Sequence, residues 1–263
     1  NFDRNLLLIP NLAIHMNRDA NSGVNLNAQK DTIPLLGEAS SKGLFADIIA
    51  DAAQTNADSV VSSDLFLYNR QPGTIWGADN EFISAPRLDD IMCAYSCMNA
   101  LIDSDEGNQE SVAVCAVFDN EEVGSTTKQG ADSTFLENVI TRIGICAGKD
   151  EEDLQRVISQ SFMISADNAH AVHPNYMDKA DPTNRPYMNK GIVIKFNANQ
   201  KYTTDAVSAA IFRGICKRAE VPVQTYVNRS DIAGGSTLGN ISNSHVSLNT
   251  VDIGLAQLAM HSP

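Results

Sequence analysis

The sequence predicts an α/β protein with a mixed central β-sheet flanked by helices, and three observations carry that expectation. Residues 111–118, SVAVCAVF, are almost wholly apolar and rich in Val, the pattern of a strand buried on both faces of a parallel or mixed sheet. Further short apolar runs alternate with amphipathic helical stretches through the rest of the chain. Finally, 263 residues at 43% hydrophobic and 19% charged composition suit one large domain, or a medium domain with a smaller one, around a substantial core.

A net charge of -13 and a pI near 4.7 argue against nucleic acid or an anionic membrane as the main partner, and suit carboxylates that gather cations. No run of about 18 apolar residues and no basic-then-apolar leader is visible, so the expectation is a cytoplasmic chain that neither spans nor binds a membrane. The five cysteines, at positions 93, 97, 115, 146 and 216, are odd in number and lie in apolar segments, which reads as reduced thiols rather than a disulfide framework. Cys93 and Cys97 stand one helical turn apart and offer half a metal site, but no second thiol pair accompanies them and packing is the better reading.

Taken in order, residues 1–18 place an apolar run around Pro10 and end on His15 and Arg18; a histidine in such a run is more often packed than ligating. The polar, Asn-rich stretch 19–30 reads as a loop. A helix is expected near 43–55 and a strand near 63–68, followed by turn-formers over 70–86 that mark a passage between domains. From Arg87 an amphipathic helix carries Ile91, Ala94, Tyr95, Met98, Leu101 and Ile102 at spacings of three and four, with Asp89 or Asp90 as its cap. After the central strand and the turn FDNEEVGS comes a helix over 134–146, with a Thr134/Glu137 capping box and a Gly148 stop. A helix at 151–159 leads into a strand at 161–165, beyond which stand Asp167, His170 and His173, spaced to line up on a helix that Pro174 discourages. Residues 191–197 read as a strand in which Lys195, among apolar neighbours, must reach solvent or meet an anion. Asp205 caps a helix to about 218, a strand follows over 221–227, and the glycine-rich 228–239 lacks the Lys-Ser/Thr ending of a phosphate loop.

Chemistry concentrates at the ends of these elements. Asp119, Glu121 and Glu122 follow the central strand, where open α/β sheets place their ligands, and three carboxylates there are unfavourable without a cation. Adjacent glutamates point in different directions, so one can bind a metal while the other takes a proton from water. For an isolated pair a solvated acidic turn is the commoner explanation, so the pair alone decides little. The sequence adds Asp89 at a helix start, Asp167 beyond another strand and His261 after the last apolar run, an order that can bring them to one sheet edge. Oxygen-rich ligands with one imidazole suit zinc, with cobalt or manganese as substitutes.

The segments SAPRLDD, VFDNEEVGS, SADNAHAVHPNY, GIVIKFNANQKY and QLAMHS, in this order along nearly the whole chain, resemble the aspartyl aminopeptidase family of dinuclear zinc exopeptidases. The resemblance implies that Asp89 bridges two zinc ions, that Glu122 and His261 complete one and Asp167 serves the other, and that Glu121 is the general base. It further implies substrate-binding roles for His15, His170, Lys195 and Tyr202, with Lys195 favouring a first residue of Asp or Glu, and a place for His173 in a neighbouring subunit's site. Residues 1–83 would then be part of a smaller, β-rich inserted domain used in assembly, and residues 84–263 a catalytic domain incomplete at both ends. Homo-oligomers built of dimers into a tetrahedral dodecamer, acting on peptides with acidic amino-terminal residues, are the implied partners.

One departure stands against the pattern. The family carries an early His-x-Asp motif whose histidine is a zinc ligand, and none of the five histidines here is followed two positions later by Asp. The sequence reading is therefore of a fragment that begins after that motif, with two rivals: a zinc aminopeptidase for neutral residues, and a non-catalytic or assembly-only chain.

Overall fold

The structure, a computed structural model, describes residues 1–104 and 111–262. The chain divides into two compact units, Asn1–Gln71 and Pro72–Pro263, where the sequence places its division after residue 83.

In Asn1–Gln71 helix α1, Leu44–Ala52, forms where expected, and a bridge pairs Leu8 with Leu35. The ends of the unit are tied by Arg70 to Asp3 at 2.7 Å and by Tyr68 OH donating to Phe2 O at 3.3 Å. Residues 63–68 form no strand, although their composition predicts one; none of the described strands pairs with them, and Leu65, Phe66 and Leu67 are exposed.

The second unit opens with a hairpin of β1, Thr74–Trp76, and β2, Phe82–Ser84, in the turn-rich stretch. Helix α2, Leu88–Ile102, follows, and then the segment 111–118. This apolar run, which its composition predicts to be a strand buried on both faces, is not a strand: no described strand pairs with it, and Val112, Val114 and Val117 are exposed. An apolar sequence becomes a strand only where a neighbour completes its backbone hydrogen bonds. Helix α3, Phe135–Cys146, lacks the predicted capping box; Thr134 Oγ1 instead accepts from Asn138 Nδ2 at 3.0 Å. Helix α4, Glu151–Gln160, is capped by Asp150, whose Oδ1 accepts from Asp153 N at 2.8 Å.

The remaining elements are β3, Phe162–Ala166; β4, Ala169–His170; β5, Ile192–Phe196; α5, Ala206–Arg218; β6, Val223–Val227; α6, Leu238–Ser242; β7, Asn249–Gly254; and β8, Ala256–Gln257. The central sheet runs β3-β7-β5-β6, with β3 parallel to β7, β5 antiparallel to β7 and β6 parallel to β5. It is a mixed sheet with helices packed on it, as the fold class requires. Its core joins Ile194, Val251 and Ile253 of the strands to Ala209, Phe212 and Cys216 of α5. Burying each large side chain there contributes about 1.5–3 kcal/mol. Asp205 and Ser208 cap α5 reciprocally, Ser208 N donating to Asp205 Oδ1 at 2.7 Å and Asp205 N to Ser208 Oγ at 3.0 Å. No helix among the described residues is long and apolar enough to cross a membrane.

Candidate metal centre

Three segments bring the acidic groups together. Helix α2 begins irregularly: Arg87 lies in the left-handed region, and Asp89 and Asp90, joined by a cis peptide bond, depart from helical dihedrals. Neither aspartate makes the cap bond that the sequence suggested. The acidic turn after Phe118 is closed by Gly124 N donating to Glu121 O at 3.0 Å, with φ +112° at Gly124, a conformation that suits glycine because it has no Cβ. His261, at the far end of the chain, completes the group.

His261 Nε2 lies 2.9 Å from Asp89 Oδ2 and 2.9 Å from Glu122 Oε2. Potential ligand atoms of Asp89, Glu122 and His261 lie within 4.8 Å of one another, and so do those of Asp89, Asp90 and Asp167. Asp89 belongs to both groups, its side chain 8% exposed against 61% for His261. The sequence set Asp89, Glu122, Asp167 and His261 thus gathers around one aspartate. Asp90, assigned only to the helix cap, joins it.

Asp167 leaves β3 and turns at Asn168 into β4, which pairs with β8; His170 therefore sits on a strand, not on the helical stack its spacing suggested. Lys195 resolves its burial by meeting an anion. Its Nζ donates to Asp167 Oδ2 at 3.1 Å, Asp167 O at 2.9 Å and Asn168 O at 3.3 Å, with the side chain 2% exposed. The same ammonium stands 5.2 Å from the centre of the Tyr202 ring, which packs at 6.3 Å on Tyr226, and Tyr226 at 6.2 Å on His170. His170, Lys195 and Tyr202 therefore share one aromatic cluster. His173 packs on Tyr176 at 5.0 Å, and His15 lies in the other compact unit.

The electrostatics are those of a cation site. Loss of solvation is the largest influence raising the carboxyls of Asp90, to about 7, Glu122, to about 7, Glu121 and Asp167; neighbouring carboxylates add to it. Burial and then the Lys195 charge hold the His170 imidazole below its ordinary value. His261, despite some desolvation, is raised by Glu122 and Asp89. Oδ1 of Asp89 and Oδ1 of Asp90 are buried without a hydrogen-bond partner, a costly state that a divalent ion relieves. Carboxylate oxygens with one imidazole, gathered over these orphaned atoms, fit zinc.

Sequence reasoning missed Asn168, Asp252 and Tyr226. Asp252, fully buried, accepts from Thr203 Oγ1 at 2.6 Å and Thr237 Oγ1 at 2.8 Å, and so holds the loop of Tyr202 against β7. A charged residue in the apolar run of β7 was the available signal.

Residues 1–263 match the family described as aminopeptidase I zinc metalloprotease (M18). A probable M18 family aminopeptidase 2 of Clostridium novyi is 49% identical over 266 residues, covering 100% of this chain and 61% of the relative. The crystal structure of prApe1 superposes with a TM-score of 0.86 at 31% identity, covering 98% of this chain and 58% of that one. The structure of the S. cerevesiae mApe1 dodecamer gives 0.74 at 30% identity over 90% of this chain and 56% of that one. The chain spans about 61% of the length of the curated relatives it matches first. Its sequence and its fold together make this chain a member of the M18 family of zinc metallopeptidases.

Proposed function

We propose that the protein to which this chain contributes removes amino-terminal residues from peptides, preferring Asp and Glu, with two zinc ions. The observation that carries the reading is Asp89, held in common by a group with Glu122 and His261 and a group with Asp90 and Asp167. In this reading Asp89 would be shared by both ions, Glu122 and His261 would hold one, and Asp167 the other. Zinc, when bound, supplies Lewis acidity toward a carbonyl and makes water easier to deprotonate. Glu121, beside the cluster and raised by burial, takes the proton of the attacking water and delivers it to the leaving amine. His170, Lys195 and Tyr202 wall the pocket for the first side chain, His15 contributes to substrate binding, and His173 serves a neighbouring subunit. Residues 1–83 serve assembly: Leu8, Ile9, Leu12, Val61 and Phe66 are exposed, and the related mApe1 is a dodecamer; both support a homo-oligomer, for which dimers in tetrahedral arrangement are the proposed form.

A second reading, preference for neutral residues, draws on one observation: all three protons of Lys195 are already taken by Asp167 and Asn168. The experiment compares release of amino-terminal Asp and Leu from short peptides by the zinc-supplemented complete protein, with Glu121→Gln beside it. Asp release that falls by roughly 10²–10⁴-fold in the variant is expected, the usual range for a lost general base. Leu release without Asp release selects the second reading, and no release of either overturns the enzymatic one.

A further inference from the structure

We infer that Asn168 is a positioning residue of the metal centre, its buried carboxamide locking the start of α2, which carries Asp89, to the end of β3, which carries Asp167. The inference rests on the reading of these aspartates as ligands of one zinc ion.

Asn168 is 3% exposed. Its Nδ2 donates to Leu88 O at 3.0 Å, one residue before Asp89 in the irregular start of α2. Its Oδ1 accepts from Leu255 N at 3.4 Å, just past β7, and from Cys93 Sγ at 3.4 Å, one turn into α2. Its own carbonyl takes a proton of Lys195, the same ammonium that holds Asp167. The Asp167–Asn168 backbone is pressed against β7 so closely that a Cβ on Gly254 would lie 2.0 Å from Asp167 O and 2.9 Å from the Asn168 backbone. One side chain therefore joins both parts of the cluster.

The residue type is demanded by the surroundings. A carboxylate of the same shape would lose the donor to Leu88 O and set a further negative charge beside Asp89, Asp90 and Asp167. A smaller side chain would leave the half-buried Leu88 O and Leu255 N without this partner, and would free Asp89 to move relative to Asp167. Groups that orient ligands in this way typically change metal affinity by about 10–100-fold when removed.

The test measures zinc stoichiometry and affinity on the complete protein by competition with a chromophoric chelator, below the unfolding temperature of every variant. Asn168→Ala is compared with Asn243→Ala, which removes similar bonds to Leu248 N and Leu248 O elsewhere in the unit. The expected result is a loss of about 10–100-fold in Asn168→Ala, little change in Asn243→Ala, and no further loss when Asn168→Ala is added to Asp167→Asn. Wild-type affinity in Asn168→Ala, an equal loss in Asn243→Ala, or an undiminished loss in the Asp167→Asn background overturns the inference. If Asn168→Ala does not fold, Asn168→Ser is read by the same criteria. Wild-type protein that takes up no zinc overturns the metal reading itself, and this inference with it.

Discussion

Burial raises the carboxyls of Asp90 and Glu122 to about 7, and the carboxylates of Glu122 and Asp89 raise the imidazole of His261. All three groups bind protons more tightly in the folded chain than in the unfolded one, so their contribution has one sign. It is fully present below the unfolded-state values and is lost as pH rises through the folded ones. The lowered carboxyls of Asp181 and Asp205 act oppositely only below the ordinary carboxylate range, and the lowered imidazole of His170 acts oppositely up to its ordinary value of 6.5, one group against the raised carboxyls of Asp90, Glu121, Glu122 and Asp167. Chelator-treated protein is therefore expected to lose thermal stability between about pH 4 and somewhat above pH 7, and Glu122→Gln to flatten that slope. A thermal midpoint that climbs across this window would contradict the assignment. Zinc competes with the same protons, so its affinity is expected to rise over the same range. At this scale the sequence was informative where a residue was out of place. Lys195 in an apolar strand has to reach solvent or meet an anion, and it meets Asp167. Asn168 gave no such signal, because its value lies in three partners that only the fold brings near.

Helices were more legible than strands because a helix satisfies its own backbone. The apolar spacing of α2 and α5, and the Asp205 cap, are local facts, and the structure reproduces both helices. Strands depend on a partner. Residues 111–118 and 63–68 have strand composition and no described partner, whereas β7, read only as an apolar run near the chain's end, lies between β3 and β5 in the sheet. The three-residue strands of the hairpin are too short for any period to register. The position of β7 makes Gly254 a test of the element. Its Cα faces the Asp167 carbonyl at a distance that leaves no room for a methyl group, and the obstacle is backbone that cannot rotate away. Gly254→Ala is expected to destabilise the fold by about 1–3 kcal/mol or more, as overpacking does, measured by urea unfolding. A cost within about 0.5 kcal/mol, the usual range for surface substitutions, would mean that β3 and β7 separate freely and that the Asp167 corner is not rigid.

At the scale of the molecule the chain assigns its chemistry unequally. Asp89, Asp90, Glu121, Glu122, Asp167 and His261 all belong to Pro72–Pro263, while Asn1–Gln71 contributes none of them and exposes much of its apolar surface. The sequence marks a passage between domains with the turn-formers before Arg87, and its candidate metal ligands lie beyond them. It did not show which apolar runs would be buried within the unit and which would face outward, since that depends on surfaces the run itself does not encode. An ion that binds only the folded site stabilises it by about 2.7 kcal/mol at one hundred times its dissociation constant. That stabilisation should stay within the unit that holds the ligands. Hydrogen exchange with and without zinc is expected to show protection in peptides spanning residues 88–93, 119–125, 165–170 and 258–262, and no change across residues 1–71. Protection spread evenly over both units would show that the ion orders the whole chain, and that Asp89 is not the local hub that its two clusters make it.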